Sequence, residues 1–339
     1  MEKFADIEVV AGQNYSIQIL MTNELLVDQV GSLSPGGVRL GGNELMDEDK
    51  AIDDAIQLAR SVDVPILLVG LGSDFEYEAS DRSDLLLPGR VNEMIHRVLR
   101  ANSNTVIINQ SGMPIEMPWI NSASTVVQAW LGGQEAGHAI ADVLFGDICP
   151  SGRLSVTFPK RIQDTPAYIN FGKSDRTIVY GEGVFVGYRY YEKVDVRPEF
   201  YFGFGLSYTE FAYSNLAAPT AFSNINGEIQ AEVAVDVTNT GQCNGMEVVQ
   251  IYISDLHASI QRPHRELKAF SKVDLLRGES RTCRFLLDKY ALSYWSEEED
   301  AWKAEAGDFA VVIARSADPR DEVLRTTINL SETFCWSGL

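Results

Sequence analysis

The spacing of apolar residues changes several times along the chain. Residues 6–10 (DIEVV) and 15–21 (YSIQILM) alternate apolar and polar positions, and residues 34–42 (SPGGVRLGG) are dense in turn formers. This pattern predicts two β-strands and a loop. From Asp47 the period lengthens: Ala51, Ile52, Ala55, Ile56, Leu58 and Ala59 fall at helical spacing, and an unbroken apolar run occupies residues 65–71. The alternation continues with a helix over 90–101, a strand at 105–109, a short helix over 115–121, a strand at 125–130 and a helix over 135–145. Short apolar strands separated by amphipathic helices predict a three-layer α/β sandwich with a mostly parallel sheet covered on both faces.

Residues 162–208 lose this regularity and are rich in Tyr, Phe and Gly, including YGEGVFVGYRYY at 180–191. A long aperiodic stretch of this kind is expected to be functional or to act as a packing strap. After a Ser- and Asn-containing joint at 219–227 the period becomes two, at residues 229–239, 248–253, 282–287 and 309–313. Several short strands separated by turns predict an all-β sandwich.

Composition narrows the partners. With 45% hydrophobic and 22% charged residues the chain is expected to be an ordinary soluble globular protein. A formal net charge of -20 argues against nucleic acid or an anionic membrane as partner, because phosphates require clustered Lys and Arg. It favours a small neutral or cationic ligand. The N-terminal residues MEKFADIEVV lack the apolar run of a signal or anchor, so the expected compartment is cytoplasmic. Cys149, Cys243, Cys283 and Cys335 show neither C-x-x-C spacing nor a nearby histidine cluster. They are read as free thiols, and nothing in the sequence calls for a metal or another cofactor.

Ligands of parallel sheets sit at the C-terminal ends of the strands. The loop over 70–88 leaves one such end and carries Asp74, Glu76, Glu78, Asp81, Arg82 and Asp84. On composition alone these are solvated surface charges. Trp130 and the tyrosines Tyr180, Tyr188, Tyr190 and Tyr191 could stack on a flat ligand, although most such rings are packing. Gly132, Gly133, Gln134 and Glu135 precede a helix and read as a turn with a capping carboxylate. His138 reads as a packing residue, and Trp295 and Trp302 as structural parts of the β-sandwich.

Four long segments carry a family resemblance. GLGSDFEYEASDR at 70–82 and VVQAWLGGQEAGHAIADVLFGDICPSGRLSVTFP at 126–159 resemble the acid/base loop and the α/β signature of family 3 glycoside hydrolases. YGEGVFVGYRYY and FGFGLSYTEF are similar to the segments leading out of that α/β domain. DVTNTGQCNGMEVVQIYISD at 236–255 and RPHRELKAFSKVDL at 262–275 are similar to the fibronectin type III-like domain that closes many of these enzymes. The resemblance runs from about Met46 to Leu339 and is nearest to β-glucosidases of fungal and yeast type. It implies a remnant of an inserted β-sandwich at 1–45, the α/β sandwich at 46–160, connecting straps at 161–222 and the fibronectin type III-like domain at 223–339. The (β/α)8 barrel of such enzymes is expected to lie outside this chain.

Retaining glycosidases use two carboxyl groups about 5–5.5 Å apart, one as nucleophile and one as acid/base. The resemblance places the acid/base at Glu78, which opens the sequence Glu78-Ala79-Ser80-Asp81-Arg82, and the nucleophile on the barrel. Glu76 is expected to act as a like-charged neighbour of Glu78, and Asp81 to pair with Arg82 and shield Glu78 from it. Asp81, Arg82, Trp130, Tyr180 and Phe204 are the substrate-binding candidates. Three positions depart from the family pattern: Ala79 replaces a glycine, Phe204 a common histidine and His138 a common asparagine.

Three functions remain open on these residues: hydrolysis of terminal β-D-glucosides with a nucleophile from elsewhere, lone acid/base catalysis on a small metabolite, or a non-catalytic binding module. In each, a face lacking its barrel is expected to be covered by a second copy of the chain or another partner.

Overall fold

The structure, a computed structural model, describes residues 6–20, 41, 45–78, 81–172, 177–225 and 227–338. The chain divides into two compact units, Met1–Ala51 and Ile52–Leu339. In the first, the described residues 6–20 form no strand, contrary to the alternation read from their sequence. A local turn forms instead: Gln13 N donates to Val10 O at 3.1 Å, and Val10 N donates to the Tyr15 hydroxyl at 2.8 Å. A strand is stabilised by a neighbouring strand, and none lies beside these residues among the described part of the unit. Apart from Gly41, the turn-rich stretch 34–42 lies outside the described residues.

Helix α1 (Glu48–Ser61) runs across the boundary between the units; its first turn is capped by Asp47, whose carboxylate accepts from Lys50 N at 3.1 Å. Its buried residues Ile52, Ile56 and Ala59 recur at one face, as their spacing predicts. Strand β1 (Ile66–Gly70), helix α2 (Val91–Ala101), strand β2 (Val106–Gln110), strand β3 (Thr125–Gln128) and helix α3 (Ala136–Phe145) follow. The three strands form a parallel sheet in the order β1-β2-β3. Leu67, Val69 and Ile107 pack with Ile52, Ile56, Ile95, Val98 and Leu99, so α1 and α2 close one face. On the other face Ile66 and Leu68 remain 54% and 58% exposed, and α3 contributes no fully buried residue. Gly70 must be glycine: a Cβ there would lie 2.0 Å from Gln110 O on the adjacent strand.

The straps return as paired backbone. Leu154 and Phe158 exchange hydrogen bonds with Phe200, Gly203 and Phe204. Helix α4 (Tyr188–Lys193) places Tyr188 in a stack on Phe202, and the Tyr188 hydroxyl accepts from Leu267 N at 2.8 Å.

The remaining strands are β4 (Phe211–Ala217), β5 (Ser223–Ile225), β6 (Glu228–Asn239), β7 (Gly245–Asp255), β8 (Glu266–Leu275) and β9 (Ser280–Asp288). After the short helix α5 (Lys289–Leu292) come β10 (Tyr294–Ser296), β11 (Ala301–Ala304), β12 (Gly307–Ala314), β13 (Glu322–Leu330) and β14 (Phe334–Trp336). One sheet runs β13-β12-β7-β8, a second is built on β6, which pairs with β4, β5 and β9, and a smaller third runs β10-β11-β14, all antiparallel. Alternate residues Val233, Val235 and Val237 of β6 meet Phe309, Val311 and Ile313 of β12 in the core between them. The intervening residues Ala310, Val312 and Ala314 are also buried, against Tyr188, Phe202 and Tyr252. The straps therefore serve as the second cover of that sheet. The fold is an α/β sandwich with a parallel sheet, followed by an all-β sandwich.

Candidate functional site

The loop after β1 is held at one point. Glu76 is half-buried, and its carboxylate accepts backbone N–H bonds from Gly112 and Met113, each at 2.9 Å, in the turn that follows β2. The sequence reading gave Glu76 an electrostatic role beside Glu78; its bonds in the structure make it a tether joining the loops after β1 and β2. Hydrogen bonds from backbone N–H to a charged carboxylate are among the stronger polar contacts.

Two residues on, Glu78 lies in a turn and is exposed. It makes no hydrogen bond or ion pair among the described residues, so its carboxyl group is free to meet a ligand. Asp81 is exposed as well. Arg82 does not pair with Asp81 as expected. Its guanidinium reaches Asp84 at 3.2 Å and donates to Leu86 O at 2.5 Å, because Asp84 also accepts from Leu86 N and folds the chain back on itself. Ala79 and Ser80, where the family glycine is replaced, lie outside the described residues.

Behind this loop, at the C-terminal ends of the strands, is a buried polar group that the sequence reading missed. Asn109 is fully buried and donates to Ser111 Oγ and Gln128 Oε1, both at 2.7 Å, while Gln128 donates to Ser111 O at 2.9 Å. The signal was present as polar residues ending two apolar strands, at Asn109 and Gln128. A hydrogen-bonded polar network at the end of a parallel sheet fixes where the loops depart. Asn109 Oδ1 is buried without a partner among the described residues.

The aromatic candidates separate. Trp130 has a left-handed backbone (φ 55), unusual for a large side chain, and its ring meets Phe158 edge to face at 5.9 Å. Phe158 continues to Phe200 at 6.4 Å, and Phe200 to Phe204 at 5.3 Å. Trp130 and Phe204 thus belong to one ladder of rings packed between the sheet and the straps. Tyr180 is 79% exposed. Tyr190 and Tyr191 contact each other, and Tyr191 is buried in the strap.

Two readings at the start of α3 need correction. His138 is not a packing residue: its side chain is 85% exposed, and Nδ1 lies 2.6 Å from Glu135 Oε2. Glu135 occupies the position before the helix but makes no cap, since its carboxylate turns to His138. The face of α3 bearing His138 points to solvent, which helical spacing alone does not reveal. Among the described residues no group of three or more His, Cys, Asp or Glu is placed to hold a metal ion.

Farther from the loop, Arg153 and Glu247 form a buried ion pair at 2.6 Å, and the Tyr213 hydroxyl donates to the same Glu247 at 2.7 Å. Burial, and then the Glu247 charge, push the Tyr213 phenol far above its ordinary value, so it stays a donor. This pair connects the segment after α3 with the β-sandwich.

Comparison with known proteins gives a consistent pattern. Residues 5–188 match the glycosyl hydrolase family 3 C-terminal domain, and residues 247–317 match a fibronectin type III-like domain. A probable beta-glucosidase I of Aspergillus clavatus is 42% identical over 339 residues, covering 98% of this chain and 40% of its own length. A beta-glucosidase of Kluyveromyces marxianus is 42% identical over 330 residues, 97% of this chain and 38% of that protein. The crystal structure of the K. marxianus enzyme in complex with glucose superposes with a TM-score of 0.82 at 43% identity, over 87% of this chain and 35% of that one. Beta-glucosidase 3B of Thermotoga neapolitana in complex with glucose gives 0.74 at 31% identity, over 88% and 41%. The chain spans about two fifths of the length of the curated relatives it matches.

Proposed function

The chain belongs to glycosyl hydrolase family 3, and from that premise we propose that it is the acid/base-bearing part of a retaining β-glucosidase. The observation that carries the reading is Glu78: an exposed carboxyl group without a partner among the described residues, on a loop anchored by Glu76 at the C-terminal edge of the parallel sheet. The relatives named beta-glucosidase support a terminal β-D-glucoside as substrate.

In the first half of the reaction Glu78, as a carboxylic acid, gives its proton to the glycosidic oxygen while an aspartate attacks the sugar carbon and forms a glycosyl-enzyme. In the second half the Glu78 carboxylate takes a proton from water, which displaces the aspartate. The aspartate belongs to residues other than these 339, in the same polypeptide or another. Because Glu78 is exposed, the enclosure that general-acid chemistry uses also comes from that second surface. Asp81 and Tyr180, both exposed, are the candidates for polar and stacking contacts to the sugar, while Arg82 shapes the loop through Asp84 and Leu86 O.

The test uses the polypeptide that contains both this chain and a family barrel. E78Q is expected to lower turnover of an alkyl β-glucoside about 10²–10⁴-fold, to lower it far less for a dinitrophenyl β-glucoside, whose leaving group needs no proton, and to respond to added azide. Equal turnover of the alkyl glucoside by E78Q would remove Glu78 from the role. Release of aglycone by the 339-residue chain alone, abolished by E78Q, would overturn the placement of the nucleophile.

A further inference from the structure

Cys149 and Cys243 are 94 positions apart in the sequence and belong to different layers of the molecule, yet the fold brings them into the same neighbourhood. Cys149 lies in the turn after α3; its Sγ is 3.1 Å from Ser207 Oγ and 3.2 Å from the point a Cβ on Gly245 would occupy. Gly245 opens β7, two residues after Cys243, so the Cys149 thiol sits against the turn that carries Cys243.

Both sides of the contact are held in place. Asn239 donates to Cys243 O at 2.8 Å and accepts from Gly241 N and from Thr209 Oγ1, which locks the turn between β6 and β7. On the other side the Tyr208 hydroxyl donates to Val143 O at 2.7 Å, and Ile148 N donates to Asp142 O, fixing the end of α3 just before Cys149. Cys243 is exposed and Cys149 half-buried, so a small thiol reagent can reach the pair.

We propose that Cys149 and Cys243 are a reversible dithiol–disulfide pair that clips the family 3 C-terminal domain to the β-sandwich. The oxidant is a low-molecular-weight disulfide such as oxidised glutathione. The Cys243 thiolate attacks one sulfur of that disulfide, forming a mixed disulfide and releasing one glutathione thiolate. The Cys149 thiolate then attacks the Cys243 sulfur, closing the intramolecular bond and releasing the second glutathione thiolate. Two protein thiols are oxidised, one glutathione disulfide is reduced, and the two thiol protons go to solvent and the departing thiolates. Desolvation, and then the adjacent Cys149, hold the Cys243 thiol above its ordinary value. The thiolate is the nucleophile, so exchange speeds up as pH rises.

The test is incubation of the full polypeptide carrying this chain with oxidised glutathione at pH 7 and pH 8.5, followed by non-reducing peptide mapping by mass spectrometry. A peptide linked through Cys149 and Cys243 is expected, formed faster at pH 8.5 and removed by dithiothreitol. The C149S variant is expected to accumulate a glutathione mixed disulfide at Cys243, because the resolving thiol is gone. The oxidised wild type is expected to melt several degrees higher than the reduced form, and the variant to show no such shift. If wild-type Cys243 stops at the mixed disulfide while Cys149 still alkylates, or if neither thiol reacts, the proposal is overturned. Neither result bears on Glu78, which takes no part in the exchange.

Discussion

The β-sandwich and the parallel sheet treat their apolar residues in opposite ways. In the sandwich, β12 is buried on both faces, inward by Phe309, Val311 and Ile313 and outward by Ala310, Val312 and Ala314 under the straps. In the parallel sheet, β1 is covered on one face only, leaving Ile66 and Leu68 exposed, and α3 buries nothing fully. Parallel sheets ordinarily have both faces covered. The first region holds itself together; the second has its loops positioned but leaves Ile66 and Leu68 of β1 uncovered among the described residues.

The contrast can be broken experimentally. Phe309→Ala removes a fully buried ring that meets Phe222 edge to face at 6.3 Å, and it is expected to destabilise the sandwich by about 3–5 kcal/mol in denaturant unfolding. A loss below about 1 kcal/mol would mean that the core between the two sheets does not hold the sandwich together. Glu76→Ala cuts both bonds to Gly112 and Met113. In the complete enzyme it should lower kcat about 10-fold and lower unfolding stability by about 1–3 kcal/mol, since two hydrogen bonds to a charged group are lost. If KM rises while kcat is unaffected, the tether serves binding and not the placement of Glu78.

Acid titration probes the sandwich side. Burial alone would raise the Glu266 carboxyl, but Lys268 and Arg262 outweigh it and hold the group below its ordinary 4.5. A carboxylate depressed in the folded state contributes stability that is present above its unfolded value and is lost as pH falls through the folded value. Unfolding followed from pH 6 down to pH 3 should therefore show a loss that Glu266→Gln flattens. The smallest effect is expected at the open sheet. Leu68→Ser, at a position 58% exposed, should change unfolding free energy by no more than about 0.5 kcal/mol while weakening self-association in light scattering. A large destabilisation would show that Leu68 is already covered within the chain.

Much of the architecture was legible because it depends on local periodicity. The buried faces of α1 and α2 fall where helical spacing puts them, at Ile52, Ile56 and Ala59 and at Ile95, Val98 and Leu99. The inward residues of β6 follow period two. The strand β8, with the sequence ELKAFSKVDL, was harder to read because most of it is only partly buried and its apolar residues do not alternate cleanly. The expected strands within residues 6–20 failed for a related reason: alternation marks a capacity to pair, and pairing needs a partner. At the site, Glu78 was legible only through family resemblance, and its structural surroundings were not legible at all. Glu76 bonds to a turn 36 residues away, Arg82 chose Asp84 over Asp81, and Glu135 chose His138 over its own helix end.

By itself the amino-acid sequence determined the run of helices and strands from residue 48 onward and the change from parallel α/β to antiparallel β. These follow from spacing along the chain and from residue type, which are local properties. Only the tertiary structure decided which charges pair, which aromatic rings are engaged in packing, that Ile66 and Leu68 of β1 stay exposed, and that Cys149 lies against the turn carrying Cys243. Each of these depends on where distant segments stop in space, and side chains with several donors and acceptors take whichever partner the packed backbone brings within reach.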